Sequence, residues 1–397
     1  MRILHVVPTY LPAVRYGGPI FAVHGLCRAL VSRGHEIEVL TTNVNGRANS
    51  VVPLGVPVDL DGVQVKYFSS KCLRRLSWAP SLAHALKHDI SRFDVVHLHS
   101  VFLWPTWAAA RAAMKANVPY LISPRGMLVK ELIGRRNRIV KSAWLRLIEK
   151  SNVEHAAVVH VTSELEATEL QRFNWRLPKV VNISNGVDEP EATKDGSELS
   201  EDIKAFADGQ PLVLYFGRLS WKKGLDRLLK AFALTRFGLL VIAGTDDENL
   251  VPRLQQLAAE LQIADRVKFL PRTILGCDKE YLFAASRLFV LASYSENFGN
   301  AVLEAMRRAV PVVVTPEVGA AEIVRKAGGG FVTPGDPKPL SEAISRLLEN
   351  SVLARTVGEA GQRYVQEHYG WPRVAAEMEE LYESVRSPGS VLNKITY

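Results

Sequence analysis

Two acidic side chains, Glu296 and Glu304, stand with seven residues between them near the end of a short apolar run. About eighty residues earlier, Arg218 and Lys223 bracket a turn that follows another apolar run. A carboxylate can accept hydrogen bonds from two neighbouring hydroxyls, and fixed cations stabilise the charge that grows on a departing diphosphate. Together these residues predict a site for a nucleotide-sugar that needs no metal ion.

The two cations follow a predicted strand, Leu212–Phe216. Arg218 therefore emerges at the carboxyl end of that strand, and Lys223 lies on the turn before a helix that starts near Gly224. A loop with a guanidinium, an ammonium and free helical N–H groups is suited to a diphosphate. The alternative is a basic turn on the surface, because the motif is short.

The two acids follow a second predicted strand, Leu288–Leu291, and a helix predicted to begin with Asn300 as its N-cap. We expect Glu296 in the loop, where it would accept from sugar hydroxyls, and Glu304 on the first helical turn, where it would accept from the ribose. Gly299 lets the backbone approach a ligand. The alternative for Glu304 is stabilisation of its own helix dipole.

Paired glycines, Gly17 and Gly18, separate the first predicted strand from a predicted helix, Ile20–Arg33. Bare N–H groups before a helix can approach a phosphate or a sugar ring. The dinucleotide fingerprint GxGxxG is absent. A simple tight turn is the alternative.

Several candidates for acceptor binding follow strands of the first half. Arg125 would meet an acceptor phosphate, the donor diphosphate or an acid in an ion pair. His97 and His99 are two residues apart and point the same way, but no acid or cysteine stands at ligand spacing, so no metal site is predicted. His99 and Trp104 are expected to touch the acceptor, with a place in the core as the alternative.

The segment 130–150 is basic and amphipathic. It holds seven Lys or Arg residues against Glu131 and Glu149, and its apolar residues, with Trp144 among them, recur at helical spacing. Such a segment is typical of a helix that lies on an anionic bilayer. The alternative is an outer helix with a solvated basic face.

Charge is distributed unevenly along the chain. Residues 1–189 hold 24 Lys and Arg against 14 Asp and Glu, whereas residues 190–397 hold 25 against 27. The basic first half predicts an anionic partner, and nucleic acid is not favoured because no aromatic and basic RNA-binding motif is present. A short apolar N-terminus, three scattered cysteines and no run of eighteen apolar residues predict a cytoplasmic protein, peripheral at the membrane if 130–150 docks there.

Thirteen short apolar runs alternate with helical patterns, which predicts two doubly wound α/β domains with parallel sheets that face a cleft. We place the first domain at 1–188 and the second at 189–372, with a terminal helix from about 373 that caps the second domain or crosses back to the first. The runs are Ile3–Pro8, Glu36–Thr42, Val63–Phe68, Val95–His99, Tyr120–Ser123, Ala157–Thr162, Val180–Ser184, Leu212–Phe216, Leu239–Ala243, Val267–Leu270, Leu288–Leu291, Val310–Thr315 and Phe331–Thr333.

These motifs, in this order, resemble the retaining glycosyltransferases of glycosyltransferase family 4, which have the GT-B fold. The resemblance implies that Arg218 and Lys223 bind the donor diphosphate, Glu296 the donor sugar and Glu304 the ribose. The predicted catalytic residues are Arg218, Lys223 and Glu296. The resemblance also implies that Gly18 approaches the leaving phosphate and that the terminal helix, 373–397, completes the first domain. The predicted donor-binding residues are Gly17, Gly18, Arg218, Lys223, Glu296, Asn297, Phe298, Gly299, Asn300, Ala301 and Glu304.

The loop Ser123–Met127 looks like that of bacterial enzymes that build surface polysaccharides. Many relatives carry a histidine in this loop, against the donor sugar, and here Pro124-Arg125-Gly126 stands in its place, so no histidine role is carried over.

The predicted reaction is transfer of a sugar from a nucleoside diphosphate sugar to an acceptor hydroxyl with retention, without cofactor or metal. UDP is expected on family grounds. The expected acceptor is a saccharide or a polyprenyl-diphosphate-linked saccharide. Two interpretations compete with this one: a nucleotide-sugar epimerase on the same fold, and a catalytically inactive scaffold that binds sugars.

Overall fold

The chain divides into two compact units, and the computed structural model describes residues 1–134, 138–190, 199–204 and 210–386. Unit 1 comprises Met1–Gly186 and the chain from Trp371 onward, and unit 2 comprises Val187–Gly370. Both crossings between the units lie within two residues of the predicted positions, 188 and 373. The terminal helix belongs to unit 1.

Unit 1 is built on an eight-stranded sheet in the order β10-β9-β8-β7-β1-β2-β6-β5. Neighbouring strands are parallel except for β5, which pairs antiparallel with β6, and β3 and β4 form a separate hairpin. The strands are β1 (Arg2–Thr9), β2 (Glu36–Thr42), β3 (Val44–Asn45), β4 (Ala48–Asn49), β5 (Pro57–Leu60), β6 (Val63–Phe68), β7 (Val95–His99), β8 (Tyr120–Ser123), β9 (Val158–Val161) and β10 (Lys179–Asn182).

Helices cover both faces of this sheet. They are α1 (Gly18–Ser32), α2 (Pro80–Asp89), α3 (Trp104–Ala116), α4 (Lys130–Ile133), α5 (Arg138–Trp144), α6 (Lys150–Glu154), α7 (Glu164–Gln171) and, from the end of the chain, α16 (Trp371–Arg386). One π-helical turn, Leu145–Glu149, joins α5 to α6.

Unit 2 holds a six-stranded parallel sheet in the order β13-β12-β11-β14-β15-β16. Its strands are β11 (Leu212–Phe216), β12 (Leu239–Ala243), β13 (Val267–Leu270), β14 (Ser286–Leu291), β15 (Val312–Val314) and β16 (Gly330–Val332). Its helices are α8 (Glu201–Lys204), α9 (Leu225–Phe232), α10 (Val251–Glu260), α11 (Gly276–Ala284), α12 (Asn300–Arg307), α13 (Ala321–Ala327), α14 (Pro337–Glu349) and α15 (Ser351–His368).

The prediction of two doubly wound parallel sheets is confirmed, and each of the thirteen apolar runs overlaps a strand. Runs inside the sheets, such as Val95–His99, are buried because helices cover both faces of each sheet. The edge strands β10 and β16 are only partly buried. The prediction missed β3, β4 and β5. The β5 strand lies at the sheet edge with exposed and half-buried residues in alternation, so it carries no continuous apolar run.

The terminal helix α16 packs on α1 and shares one apolar core with one face of the unit 1 sheet. Val374, Met378 and Tyr382 are at most 4% exposed, and each such apolar side chain contributes about 1.5–3 kcal/mol by burial. Trp371, the first residue of α16, is 8% exposed. It lies directly against the backbone of Gly25 in α1 and of Gly186.

The contact between Gly25 and Trp371 gives a test of this packing. A glycine inside a helix normally gains stability when it becomes alanine, but a Cβ at Gly25 would lie 2.3 Å from Cζ2 of Trp371. We expect Gly25→Ala to lower the free energy of unfolding by about 1–3 kcal/mol, as overpacking does, measured by urea denaturation. Ser32→Ala, on the exposed side of the same helix, is the control, and an unchanged or raised stability of Gly25→Ala would contradict the close contact.

Candidate functional site

The sheet of unit 2 has its topological switch point between β11 and β14. The chain leaves β11 toward β12 and β13 on one side and returns to β14, β15 and β16 on the other. In open α/β sheets, ligands bind outside the carboxyl ends of the strands at such a point. Arg218 follows β11 and Glu296 follows β14, so these two of the predicted donor residues lie at this edge.

The loop after β11 is fixed by its own backbone. The Tyr215 hydroxyl donates to the carbonyl of Arg218 over 2.9 Å, and residues 221–223 form one 3-10 turn. Gly224 then adopts φ 63°, and a Cβ there would lie 1.9 Å from the carbonyl oxygen of Ala292. Glycine is therefore required at this position, because it lets the loop that carries Lys223 lie on the segment after β14.

This approach brings two predicted catalytic groups together. The ammonium of Lys223 and the carboxylate of Glu296 form an ion pair, and their side chains are 21% and 17% exposed. The backbone N–H of Tyr294 donates to the carbonyl of Lys222 over 2.7 Å, which ties the two loops together. Lys223 and Glu296 thus neutralise each other.

The loop of Glu296 is held on its other side by backbone hydrogen bonds. The N–H of Glu296 donates to the carbonyl of Glu317 over 3.0 Å, and the N–H of Gly319 donates to the carbonyl of Glu296 over 2.9 Å. The position of the Glu296 carboxylate is therefore set by two neighbouring segments.

Helix α12 begins one position earlier than predicted. Gly299, with φ 96°, is the residue at its N-cap, so Asn300 is the first helical residue and not the cap. Glu304 is consequently on the second turn, and the prediction of the first turn was wrong. A helix dipole acts mainly on the first turn, so the alternative role for Glu304 loses its support. Its carboxylate pairs with Lys279 at 2.9 Å.

Two of the predicted donor residues have side chains in or against the core. Phe298 is 3% exposed within the apolar cluster of unit 2, and Ala301 packs against that cluster. The chain packs there because the carbonyl of Phe298 accepts from the N–H of Ala320 over 2.8 Å. These positions can offer a ligand their backbone, but the side chain of Phe298 cannot reach one.

The cation set at this edge is larger than predicted. Arg218 is exposed. Burial lowers the pKa of Lys222, and the nearby charge of Arg218 lowers it further. The predicted donor residues include Lys223 but not the neighbouring Lys222, which carries the same charge. The loop therefore presents Arg218, Lys222 and Lys223.

Unit 1 has its own switch point, between β1 and β7, because the chain winds from β1 toward β2 and β6 and then returns to β7. Gly17 follows β1 with φ 72°, and no heavy atom of the described residues lies within 4 Å of where its Cβ would be. Helix α1 begins at Gly18, two residues before the predicted start.

Four buried histidines line one face of this sheet near its carboxyl edge: His5, His97, His99 and His160, each at most 2% exposed. His5 stands opposite His97 in the register of β1 and β7. Neither His5 nor His160 is among the predicted site residues. The available signal was that each is a lone polar residue within an otherwise apolar strand.

Hydrogen bonds fix the tautomers of two of these rings. His160 Nε2 lies 2.8 Å from the carbonyl of Ile183, so it carries the proton, and His160 Nδ1 accepts from the Ser123 hydroxyl at 2.6 Å. Ser123 Oγ in turn accepts from His97 Nε2 at 2.9 Å, and His97 Nδ1 accepts from the Tyr382 hydroxyl at 2.8 Å. Both rings are therefore neutral, and α16 closes the chain of bonds through Tyr382.

A second chain of bonds begins at Arg125. Because a guanidinium only donates, His99 Nδ1 accepts from Arg125 Nη2 over 3.2 Å. His99 Nε2 then carries the proton and donates to His5 Nδ1 over 2.9 Å. The predicted contact of His99 with the acceptor is wrong, because both of its nitrogens are hydrogen-bonded and its ring is buried. His99 instead holds the guanidinium of Arg125 in place.

The nitrogen atoms of His5, His97 and His99 lie within 4.8 Å of one another, close enough for a metal ion. Their hydrogen bonds already use every ring nitrogen of the three except His5 Nε2, which is buried without a partner in the described structure. We therefore assign these rings to hydrogen bonding.

Burial holds the pKa of all four rings low, to about 3 for His5 and His160 and well below the ordinary value for His97 and His99. In the unfolded chain a histidine titrates near 6.5, so each ring binds a proton on unfolding between about pH 6.5 and 3. Unfolding then takes up protons, and stability falls as the pH falls through this window.

We expect the free energy of unfolding to fall by ~1.4 kcal/mol per pH unit for each of these rings once the pH is well below 6.5. Urea denaturation at pH 7, 6 and 5 measures the slope. His5→Gln keeps an acceptor for His99 and should reduce the slope by about the share of one ring. A flat profile in the native protein would contradict the neutral buried rings.

Two buried glutamates, also missed from the sequence, hold loops at this edge. Glu149 accepts from the N–H of Phe102 at 2.6 Å and from Trp144 Nε1 at 2.7 Å, and burial raises its pKa. Glu166 accepts from the N–H of Gly126 at 2.6 Å. They fix the loops that follow β7 and β8.

Trp104 is the first residue of α3, and its ring packs edge-on against Trp78 with 6.5 Å between centroids. The residue is half-buried beside the core of this face. Trp104 is therefore not fully enclosed by the core.

The basic segment is helical over 130–133 and 138–150, and its apolar residues Ile139, Val140 and Leu147 are 86%, 68% and 76% exposed. Arg135 and Arg136 lie outside the described residues. None of the helices in the described ranges combines the length and hydropathy that a membrane-spanning helix requires.

Comparison with known proteins finds a glycosyltransferase family model in each unit. Residues 17–186 match the model of the glycosyl transferase 4-like domain, and residues 197–364 match that of the glycosyl transferases group 1. A D-inositol 3-phosphate glycosyltransferase of Salinispora arenicola is 31% identical, over 97% of this chain and 92% of its own length. An uncharacterized glycosyltransferase of Methanocaldococcus jannaschii is 27% identical, over 96% and 98%.

Solved structures with similar folds include HepE of Anabaena in complex with UDP and glucose, with a TM-score of 0.74 and 22% identity over 97% of this chain and all of that one. Sucrose-phosphate synthase of Thermosynechococcus elongatus has a TM-score of 0.75 and 23% identity, over 96% of this chain and 98% of its own. With two doubly wound units and these matches, the chain belongs to glycosyltransferase family 4 and has the GT-B fold.

Proposed function

We propose that this glycosyltransferase moves a sugar from a UDP-sugar to an acceptor hydroxyl with retention of the anomeric configuration and without a metal ion. The observation that carries the proposal is the ion pair between Lys223 and Glu296 at the switch point of unit 2. A diphosphate would take Lys223 as its counter-ion, and the released Glu296 would accept from a hydroxyl of the donor sugar.

The cations of the same loop support the departure of the diphosphate. Arg218 is exposed at the strand end, and Lys222 and Lys223 follow on one 3-10 turn. Preorganised positive groups of this kind stabilise a leaving group without the reorganisation that water would need. The acceptor oxygen would form its bond to the anomeric carbon as the bond to the phosphate oxygen breaks, and that oxygen would take the acceptor proton.

UDP as the leaving group is supported by the relatives of known structure, since HepE was solved with UDP and with UDP-glucose. Titration of UDP, GDP, ADP and dTDP against the melting temperature tests this choice. We expect UDP to raise the melting temperature more than GDP, ADP or dTDP does. No stabilisation by any of the four would reject the donor site and favour an inactive scaffold.

Stereochemistry and metal dependence are tested together by product NMR. We expect the product to have the same anomeric configuration as the donor. We also expect EDTA to leave the rate of product formation unchanged. An inverted product would reject retention, complete loss in EDTA would reject metal independence, and conversion of the donor sugar without any acceptor would favour the epimerase.

We also propose that the acceptor is a lipid-linked saccharide used in polysaccharide synthesis, and that residues 138–150 dock on an anionic bilayer. Exposed Ile139, Val140 and Leu147 would enter the interface, while Lys141 and Arg146 would meet acidic headgroups. Each basic side chain near such a surface is worth ~1 kcal/mol, so a few suffice for reversible docking.

Sedimentation with vesicles that contain phosphatidylglycerol tests this surface. Binding should be weakened by salt and by Leu147→Ser together with Arg146→Ser, whereas Arg363→Ser on α15 should leave it unchanged. Equal binding of the double variant, or no binding at low salt, would leave a soluble saccharide as the acceptor.

A further inference from the structure

Arg125 is a cation with neutral neighbours. It follows β8 with φ 55° and is partly exposed. Its Nη1 donates to Asn185 Oδ1 over 2.8 Å and its Nη2 to His99 Nδ1 over 3.2 Å. Its Nε is buried and has no hydrogen-bond partner among the described residues. Only two of the five N–H donors of the guanidinium are therefore used.

The charge of Arg125 also has no counter-ion in the described ranges, where no carboxylate lies within ion-pair distance of it. Glu166 is the acid whose charge acts on it most, but its oxygens accept from Gly126 N–H and from the N–H and hydroxyl of Thr162, at 2.6, 2.9 and 3.1 Å. Burial lowers the pKa of Arg125. Removing a charge from water is costly unless an anion accompanies it.

The histidines hold this cation in place without adding charge. His99 presents an unprotonated Nδ1 to the guanidinium because its other nitrogen donates to His5. The neutral rings of His97 and His160 complete the surroundings. The arrangement thus directs a single fixed positive charge to the carboxyl edge of β7 and β8, beside the switch point of unit 1.

We propose that Arg125 binds a phosphoryl group of the acceptor, with His99 and Asn185 as its positioning residues. This inference rests on the proposed function, because it names the chemical class of the acceptor. A guanidinium fork matches two phosphoryl oxygens with parallel hydrogen bonds, which an ammonium cannot do. The group belongs either to a soluble sugar phosphate or to the diphosphate of a lipid-linked saccharide.

The test measures binding of inorganic pyrophosphate to the full chain by calorimetry, with the donor site filled by saturating UDP. We expect Arg125→Met to bind pyrophosphate roughly 10- to 100-fold more weakly, because it loses charge-assisted hydrogen bonds worth about 1.5–3 kcal/mol. Arg125→Lys should recover part of the affinity, since it keeps the charge without the fork. Arg111→Met, on the exposed side of α3, should bind as the native protein does.

Two outcomes overturn the inference: no binding of pyrophosphate to the UDP complex, and equal binding by Arg125→Met. Unchanged UDP affinity and melting temperature in the variants show that they fold and that the donor site is intact. Failure of the proposed function is distinct, because it would remove UDP binding from the native protein.

Competition identifies the source of the group. Displacement of pyrophosphate by glucose 6-phosphate but not by glucose supports a soluble acceptor, and displacement by a short-chain polyprenyl diphosphate supports a lipid-linked one. Displacement by neither would overturn the assignment of Arg125 to the acceptor.

Discussion

Lys223→Ala is expected to lower kcat by about 10²-fold or more. Removal of one preorganised electrostatic donor from an active site costs about 10²- to 10³-fold, and Lys223 lies on the loop that would face the departing diphosphate. Steady-state kinetics with the donor at saturation measures the effect. The loss should appear in kcat more than in KM, since the charge on the leaving group grows only in the transition state.

The control for this variant is Lys230→Ala. Lys230 is exposed near the end of α9, the helix that follows the same loop, and its removal should leave kcat unchanged. Native turnover by Lys223→Ala would show that Arg218 and Lys222 suffice, and the role given to Lys223 would then be wrong.

Glu296→Gln should change turnover and product affinity in opposite directions. Lys223 and Glu296 form an ion pair, so a nucleoside diphosphate that used the ammonium would first have to displace the carboxylate. Without that competition, UDP should bind roughly fivefold more tightly, a gain of about 1 kcal/mol that corresponds to one ion pair near the surface. Turnover should fall roughly 10- to 100-fold, because a charged acceptor for the sugar hydroxyl is lost.

Calorimetry with UDP and steady-state kinetics measure the two effects in one protein sample. Glu322→Gln removes an acid from the exposed side of α13, where it pairs with Lys326, and should alter neither quantity. Weaker UDP binding by Glu296→Gln would mean that the carboxylate supports the diphosphate site rather than competing for it.

The fold was predictable because its strands are buried on both faces. An uninterrupted apolar run such as Leu212–Phe216 is typical of a strand buried on both faces. A motif that follows such a strand lies at its carboxyl end, where parallel sheets bind ligands. The edge strand β5 was not predicted, because a strand that is exposed on one side has no continuous apolar run.

The supporting residues of the site could not be predicted in the same way. Glu149 binds the N–H of Phe102, 47 residues away, and Glu166 binds the N–H of Gly126, 40 residues away. Nothing local in the sequence signals these two bonds. The start of α12 differed from the prediction because Gly299 adopts a left-handed conformation and takes the cap position from Asn300. Both results depend on tertiary contacts rather than on local preference.

The return of α16 to unit 1 has a consequence for synthesis of the chain on the ribosome. Every element of unit 2 emerges before Trp371 and Tyr382, the residues that close the core and the hydrogen-bond chain of unit 1. During translation, the face of β1 and α1 that α16 covers must therefore stay uncovered until α16 has been synthesised. Early termination before Trp371 would leave that apolar face open to chaperones and proteases while the second unit is already complete.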